Sequence, residues 1–171
     1  PMIGLTTDPM VSQQWQYNNT GQAGGTPGAD IDAFEAWDIT TGSASIAVAI
    51  LDTGIDKTHP DLASKVTKRV NFSSASSDDD MVGHGTHVAT LIAGKGKRSE
   101  VEVTRLQNGK PVRVRVARFA GVAPKARVIS LKVLDRNGGG YTSSVLQAIE
   151  FAIEHRDDLK IDIINLSLGH P

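Results

Sequence analysis

Three continuous apolar runs divide the chain, at residues 45–51, 128–134 and 161–168. Runs of this length and β-branched content are typical of parallel strands that are buried on both faces of a sheet. A shorter run at residues 69–72 fits a further strand. The segments between the runs have helical character, so strands alternate with helices along the chain. The pattern therefore predicts an α/β fold with a mostly parallel central sheet and right-handed crossovers.

Three helices are predicted around these strands. A short one covers residues 31–37, and a second covers residues 84–93. The second helix places its apolar residues on one face, namely Val88, Leu91 and Ile92. A third begins after the glycine-rich segment 137–140, with Thr142 as its N-cap. Its apolar positions recur at helical spacing, at Val145, Ile149, Ala152 and Ile153.

Residues 101–116 break this rhythm because they alternate strictly between apolar and polar side chains. The alternation is centred on Asn108-Gly109, a two-residue sequence that strongly favours a type I′ hairpin turn. Such a turn places Val103 opposite Val114, Val101 opposite Val116, and Glu102 opposite Arg115. Between residues 95 and 118 there are eight Lys or Arg and two Glu. We interpret the segment as a solvated basic hairpin held down by its valine face; a flap that binds substrate or a partner is the alternative.

The predicted domain organisation is simple. Residues 1–28 are rich in Gly, Gln, Asn and Thr without sustained periodicity, which indicates an extended surface arm. Residues 29–171 form part of one domain, and the basic hairpin at about residues 95–118 is inserted into it.

Composition narrows the function classes. The 171 residues carry a formal net charge of −1 and include no cysteine. A near-neutral chain gives no reason to expect nucleic acid or an anionic membrane surface as partner. The lack of cysteine excludes disulfides, thiol catalysis and cysteine-ligated zinc. No apolar run is long enough to span a bilayer. No basic n-region followed by an apolar h-region occurs, so a secretion signal is either absent or already removed. Because the chain begins at Pro1, we expect a processed or excised fragment.

Two residues with catalytic chemistry stand at predicted element boundaries. Asp52 ends the run at residues 45–51 and precedes Thr53-Gly54, which permits a tight turn. His84 opens a predicted helix between two glycines, where another chain can approach closely. Since catalytic groups gather at the carboxyl ends of parallel strands, we expect the Asp52 carboxylate to accept a hydrogen bond from the His84 imidazole. Amide hydrolysis by a serine needs such a base and an anion to orient it.

Five segments, in order along the chain, resemble the subtilisin-like serine proteases, or subtilases. They are Asn19-Thr20-Gly21-Gln22, Asp52-Thr53-Gly54-Ile55-Asp56, His84-Gly85-Thr86-His87-Val88-Ala89, Gly121-Val122-Ala123-Pro124 and Ile164-Asn165-Leu166-Ser167-Leu168-Gly169. The order aspartate, histidine, serine is the known one for this family. The resemblance implies a three-layer fold that this chain contains only in part.

By that resemblance, Asp52 is the orienting carboxylate, His84 is the general base and acid, and His87 is structural. The backbones of Gly139-Gly140-Tyr141 and Ser167-Leu168-Gly169 are expected to pair with an extended polypeptide substrate. No cofactor is required for the chemistry.

No Gly-Thr-Ser-Met-Ala-like segment, the family's setting for the nucleophile, occurs in the 171 residues. We therefore expect the serine and the oxyanion-hole asparagine beyond residue 171, and the chain to be the amino-terminal part of a catalytic domain. It is expected to be inactive alone and to associate with a complementary chain that carries the rest. The parent is expected to be a secreted enzyme with a zymogen stage.

Three features depart from the family pattern. Thr90 stands where a glycine is usual in the histidine helix. The basic hairpin occupies the region of a frequent calcium loop, which leaves Asp61 as the expected ligand if a structural calcium is bound. Asp78-Asp79-Asp80 is an acidic run close to His84, either a solvated loop or a source of negative potential at the base.

The same residues allow other interpretations. His84 and His87 share a helix face, but no His-Glu-x-x-His spacing supports a zinc site. Ser167 lacks the first glycine of a nucleophile elbow. Residues 49–54 resemble the catalytic loop of a retropepsin-like aspartic protease, whose fold is all-β. A non-catalytic, protease-derived module that binds peptides also remains, and the residue in the position of the missing serine discriminates it from an enzyme.

Overall fold

The computed structural model describes residues 11–96, 101–107, 109–116 and 120–169. After a short 3-10 helix at Val11–Gln13, the helices and strands follow in chain order. They are α1 (Ala33–Ile39), β1 (Ala47–Asp52), β2 (Val66–Asn71), α2 (His84–Ala93), β3 (Val101–Gln107), β4 (Lys110–Val116), β5 (Arg127–Lys132), α3 (Thr142–Glu154), α4 (Arg156–Leu159) and β6 (Ile161–Leu166).

Among the described residues, the central sheet has four strands in the order β2-β5-β1-β6, and every neighbouring pair is parallel. All six residues of β1 are buried, as its continuous apolar sequence predicts. In the registers, Asp52 lies beside Lys132 of β5, and Leu51 lies beside Leu166 of β6. The carboxyl end of β1 is thus flanked on both sides, and the predicted parallel α/β fold is confirmed.

Helices cover both faces of the sheet and give three layers. Successive β1 residues point to opposite faces, so Ala49 and Leu51 pack with Ala148 and Ala152 of α3. The other face consists of Val48, Ile50 and Val128, and it packs against α2. The residues of α2 that pack against the sheet have small side chains, namely Val88, Ala89 and Ala93. This face fixes the position of the helix that begins with His84.

A third apolar cluster ties the start of the described chain to the domain. Residues 11–28 form turns, and they are exposed for the most part. Tyr17 is buried and meets Trp37 of α1 edge-on, with ring centroids 5.1 Å apart. The indole N–H of Trp37 donates to the carbonyl of Val122 at 2.8 Å. The first ten residues of the predicted arm lie outside the described part of the chain.

The hairpin forms a separate two-stranded sheet from β3 and β4. Its predicted register is confirmed, with Val103 opposite Val114 and Glu102 opposite Arg115. Lys95 and Ala120 form an antiparallel bridge, which brings the two ends of the insertion together. Asn108 and the side chains of the four paired valines lie outside the described residues, so the turn type and the valine face stay predictions.

Several details differ from the sequence-based expectation. The N-cap of α3 is Tyr141, and Thr142 is already the first helical residue. Leu91 and Ile153 are 49% and 65% exposed, because the small residues on α2 and α3 face the sheet instead. The run at residues 161–168 is also not a buried strand. It forms the sheet edge, where Ile163 and Leu166 are about half exposed.

Candidate active site

Asp52 and His84 are in direct contact at the carboxyl end of β1. The imidazole Nδ1 lies 2.8 Å from Oδ1 and 2.9 Å from Oδ2 of Asp52. Because an ionised carboxylate only accepts hydrogen bonds, Nδ1 must carry the proton and donate it. Asp52 is 1% exposed, whereas the His84 side chain is 47% exposed. The contact expected from the sequence is therefore present, with its acidic partner buried and its imidazole open to solvent.

The turn after β1 fixes the orientation of the Asp52 carboxylate. The backbone N–H of Thr53 donates to Asp52 Oδ1 at 2.6 Å. Gly54 then adopts a φ of +107°, a region that favours glycine. A Cβ at Gly54 would lie 2.8 Å from the carbonyl oxygen of Asp78. Glycine at position 54 therefore suits both the positive φ of the turn and the close approach of the Asp78 carbonyl.

Gly85 lets the amino-terminal end of α2 approach this turn. A Cβ built on Gly85 would overlap the carbonyl oxygen of Gly54 and lie 3.1 Å from Asp52 Oδ1. Any side chain here would push α2 away from β1 and lengthen the contact between His84 and Asp52. At Gly85 the close approach is made by the turn after β1 of the same chain. The expectation that another chain approaches here stays a prediction.

Asp80 is a residue of the site that the sequence did not identify as such. Its Oδ1 accepts from Thr53 Oγ1 at 2.8 Å and from the backbone N–H of Gly83 at 2.8 Å. Its Oδ2 accepts from the N–H and the hydroxyl of Thr86, at 2.8 and 2.6 Å. The acidic run is thus not a uniformly solvated loop. The sequence offered one signal, an acid four residues before a helix whose N-cap is glycine.

The other two acids of the run, Asp78 and Asp79, pair with Arg69 and not with the dyad, as we call Asp52 and His84 together. The carboxylates of Asp78 and Asp79 both accept from the guanidinium of Arg69, the first at 2.8 Å. The hydrogen bond from Arg69 is the main cause that lowers the pKa of Asp79. These two ion pairs attach the loop to β2.

Lys132 places a positive charge beneath the site. It is fully buried at the end of β5, and its Nζ donates to the carbonyl oxygens of Thr53 and, at 3.1 Å, of Asp79. Burial lowers the pKa of Lys132, and the nearby carboxylates, Asp80 first among them, partly offset that effect. The lysine joins the turn after Asp52 to the loop that carries Asp80. Its role could not be predicted from the sequence, because Lys132 lies within the apolar run at residues 128–134.

The residues expected to bind substrate follow the two strands that flank β1, at the carboxyl end of the sheet. Gly140 forms a bridge with Leu134, just after β5, and a Cβ there would lie 2.5 Å from the carbonyl oxygen of Val133. Tyr141 is 69% exposed. On the other side, Ser167 Oγ accepts from Asn165 Nδ2 at 2.9 Å, directly after β6. Leu168 packs against the core and Gly169 is exposed.

The geometry also bears on the rival interpretations. The α2 and α3 helices do not fit the all-β fold of a retropepsin-like protease. For the zinc hypothesis, Nδ1 of His84 is already occupied by Asp52, and the His87 side chain is exposed. Within the described ranges, no group of three His, Asp or Glu side chains is placed to hold a metal ion. Asp61 is buried, and its calcium role stays a prediction.

Among the residues that the structure describes, there is no helix with the length and apolar character needed to cross a membrane.

Comparisons with known proteins point in one direction. The family model described as the Subtilase family matches residues 43–171. The Thermophilic serine proteinase of Bacillus sp. (strain AK1) is 39% identical over 135 residues, which cover 78% of this chain and 28% of that protein. Thermitase of Thermoactinomyces vulgaris is 37% identical over 140 residues, covering 81% of this chain and 42% of the relative.

A further relative is the Intracellular serine protease of Paenibacillus polymyxa, 38% identical over 146 residues. That alignment covers 82% of this chain and 38% of the relative. The matched part of the chain thus corresponds to between 28% and 42% of the length of these three relatives.

Proposed function

The chain belongs to the subtilase family, and on that premise we propose that the protein is a serine endopeptidase. In this proposal Asp52 and His84 are the acid and the base of its catalytic triad. The nucleophilic serine is supplied by a segment beyond residue 171. The observation that carries the proposal is the contact of His84 Nδ1 with both carboxylate oxygens of a buried aspartate.

The proposed chemistry follows from the state of the imidazole. With its proton on Nδ1 and held by Asp52, the ring has a lone pair on Nε2 that can accept a proton. The serine hydroxyl passes its proton to Nε2 as its Oγ bonds to the peptide carbonyl carbon. His84 then gives this proton to the leaving amine, and an acyl-enzyme remains. Water repeats the sequence, releases the acid and restores the serine.

Polypeptide is the proposed substrate. The segments at Gly139-Gly140-Tyr141 and Ser167-Leu168-Gly169 follow the two strands that flank β1. An extended peptide lying between them, at the end of β1, would place a carbonyl near the half-exposed imidazole. Backbone pairing of this kind binds peptides with little dependence on side chains, which suits a protease.

The complementary segment is the proposed partner of this chain. The 171 residues contain no segment like Gly-Thr-Ser-Met-Ala, and β6 leaves an exposed apolar edge that includes Ile163 and Leu166. Pairing of further strands with β6 would cover that edge and bring in the serine. The 171-residue chain alone is therefore proposed to be inactive. Removing the nucleophilic serine of a subtilisin lowers kcat by about 2 × 10⁶.

Steady-state hydrolysis of a peptide by the whole protein tests this proposal. His84→Ala and Asp52→Asn should each lower kcat by about 10⁴-fold or more, because the serine then lacks its base or the base its orientation. His87→Ala is the matched control, since it removes an exposed imidazole one turn along the same helix. Its kcat should stay within about threefold of the wild type. Activity in His84→Ala equal to that of the control would contradict the proposal.

A further inference from the structure

The carboxylate of Asp80 collects five hydrogen bonds from residues around the dyad. Besides the Thr53 hydroxyl and the two groups of Thr86, it accepts from the backbone N–H of Gly83 and, at 3.1 Å, of Val82. Thr53 is the next residue after Asp52, and Gly83 is the residue before His84. One side chain thus holds the immediate neighbours of both dyad residues, which come from elements 32 positions apart in the chain.

Thr53 extends this connection across the gap between β1 and α2. Its hydroxyl donates to Asp80 Oδ1 at 2.8 Å and accepts from the backbone N–H of Gly85 at 3.0 Å. Gly85 is the residue after His84, so the hydroxyl ties the turn after Asp52 to the first turn of α2. Thr86 Oγ1 accepts in turn from the N–H of Asp56 at 2.9 Å. The segment after β1 and the first turn of α2 are therefore joined by a continuous chain of hydrogen bonds through Asp80.

The arrangement exceeds what an ordinary helix cap requires. The N-cap of α2 is Gly83, which has no side chain to satisfy the first free N–H groups of the helix. Asp80 and Thr53 take over that role from outside the helix. A helix cap only has to accept hydrogen bonds from the amides of its own helix. Here Asp80 Oδ1 also accepts a hydrogen bond from the hydroxyl of Thr53, directly after β1.

The charges around Asp80 favour its ionised form. Burial raises its pKa, but the hydrogen bonds from Thr86, Gly83 and Thr53 outweigh this, so the pKa lies below the ordinary value. The buried ammonium of Lys132 contributes a positive charge nearby, and the amino-terminal end of α2 contributes a partial one. Asp80 is therefore an anion at neutral pH and accepts all five bonds.

We propose that Asp80 is a positioning residue of the catalytic dyad, and that it sets the approach of His84 to Asp52 by holding Thr53 and the first turn of α2 together. None of its five hydrogen bonds goes to Asp52 or His84, so it acts through the neighbours of these two residues. The inference rests on the proposed function, because it assigns Asp80 to the reaction that Asp52 and His84 carry out.

Two substitutions in the whole protein separate positioning from general stability. Asp80→Asn replaces an acceptor oxygen by an NH₂ group that faces donors, and Thr53→Val removes the connecting hydroxyl at nearly constant volume. Thr53→Ser retains that hydroxyl and is the conservative partner of Thr53→Val. Asp78→Asn is the matched control, because its carboxylate lies two residues away in the same loop and pairs with Arg69.

The expected result is a loss in kcat at nearly constant KM. Per active site, counted by titration with a phosphonylating reagent, Asp80→Asn and Thr53→Val should lower kcat about ten- to a hundredfold, the usual cost of a small misplacement of catalytic groups. Thr53→Ser should restore most of the kcat that Thr53→Val loses, and Asp78→Asn should stay within about threefold of the wild type. Unchanged kcat per titrated site in both Asp80→Asn and Thr53→Val would overturn the inference.

A second measurement keeps this test separate from that of the proposed function. The Nδ1 proton of His84 should give a downfield NMR signal in the wild type, because it lies in a short hydrogen bond to a buried carboxylate. The signal should shift or disappear in Asp80→Asn and Thr53→Val, and persist in Thr53→Ser and Asp78→Asn. This readout does not depend on turnover. If the signal responds while the wild type hydrolyses no peptide, the proposed function fails, and what stands is only that Asp80 holds His84 against Asp52. An unchanged signal in both variants overturns the positioning role.

Discussion

At the scale of single residues, the burial of Asp52 determines how the site is built. Taking an isolated carboxylate out of water costs several kcal/mol, so a buried one must be hydrogen-bonded. Asp52 accepts from the N–H of Thr53 and from His84 Nδ1. The buried charge therefore fixes the tautomer of the imidazole and leaves Nε2 as the proton acceptor. In the proposed mechanism, the contact that satisfies the aspartate also prepares His84 to act as the base.

The acid dependence of stability should report on Asp80. Its pKa in the folded protein is lower than the ordinary value of 3.8, so folding is favoured by its ionised form. This contribution is fully present above the unfolded pKa, and it is lost as pH falls through the lower, folded value. The free energy of unfolding of wild type minus that of Asp80→Asn should thus be largest near neutral pH and shrink below about pH 4.

Urea unfolding at several pH values measures this difference, with both proteins inactivated at the serine to prevent self-digestion. If the difference between wild type and Asp80→Asn stayed constant from neutral to strongly acid pH, the depressed pKa of Asp80 would be ruled out.

Individual residues of the site differ in how far the sequence reveals them. Asp52 and His84 could be predicted because each sits in a distinctive segment at an element boundary. Asp80, Thr53 and Lys132 could not, because their roles depend on hydrogen bonds between segments 27 to 79 positions apart. A carboxylate in an acidic run and a lysine in an apolar run carry no periodic signal. Their function exists only once the strands are aligned.

At the scale of elements, the basic hairpin should be dispensable for the architecture of the site. Lys95 and Ala120 pair at its base, so the two ends of the insertion already lie next to each other. Replacing residues 97–118 by a short Asn-Gly turn should change the free energy of unfolding by about 1 kcal/mol or less, because it shortens a surface loop and leaves the core intact.

Thermal unfolding and peptide hydrolysis of the shortened protein check this prediction. A variant with Arg113→Gln and Arg115→Gln in the intact hairpin serves as a control that removes charge but not length. A large loss of kcat at unchanged stability, in the shortened protein and in this control, would instead favour the alternative in which the hairpin is a flap that binds substrate.

The elements were predictable to the extent that their signals are local. The register of β3 and β4 follows from strict alternation around Asn108-Gly109, and the buried β1 follows from its apolar run. The predicted buried faces of α2 and α3 were partly wrong, because Leu91 and Ile153 are exposed. Side-chain hydrophobicity alone gave the wrong faces there, because close packing on the sheet selects small residues such as Ala89 and Ala148.

At the scale of the whole molecule, the sheet in this chain ends in a half-exposed strand. Burial of the run at residues 161–168 was predicted from its composition, yet β6 has a neighbour on one side only among the described residues. Whether a strand is central or at an edge depends on the rest of the sheet, which is not a local property. A complementary segment that pairs with β6 would complete its burial. Secretion, a zymogen stage and a structural calcium stay predictions.

The central claim is that Asp52 and His84 activate a serine outside these 171 residues. The measurement that tests it most directly is mass spectrometry of the whole protein after reaction with a phosphonofluoridate. We predict one adduct, on a serine beyond residue 171, and almost no adduct in His84→Ala, because the unactivated hydroxyl reacts slowly. An adduct on Ser167 or another serine of this chain, or equal labelling in His84→Ala, would contradict the account.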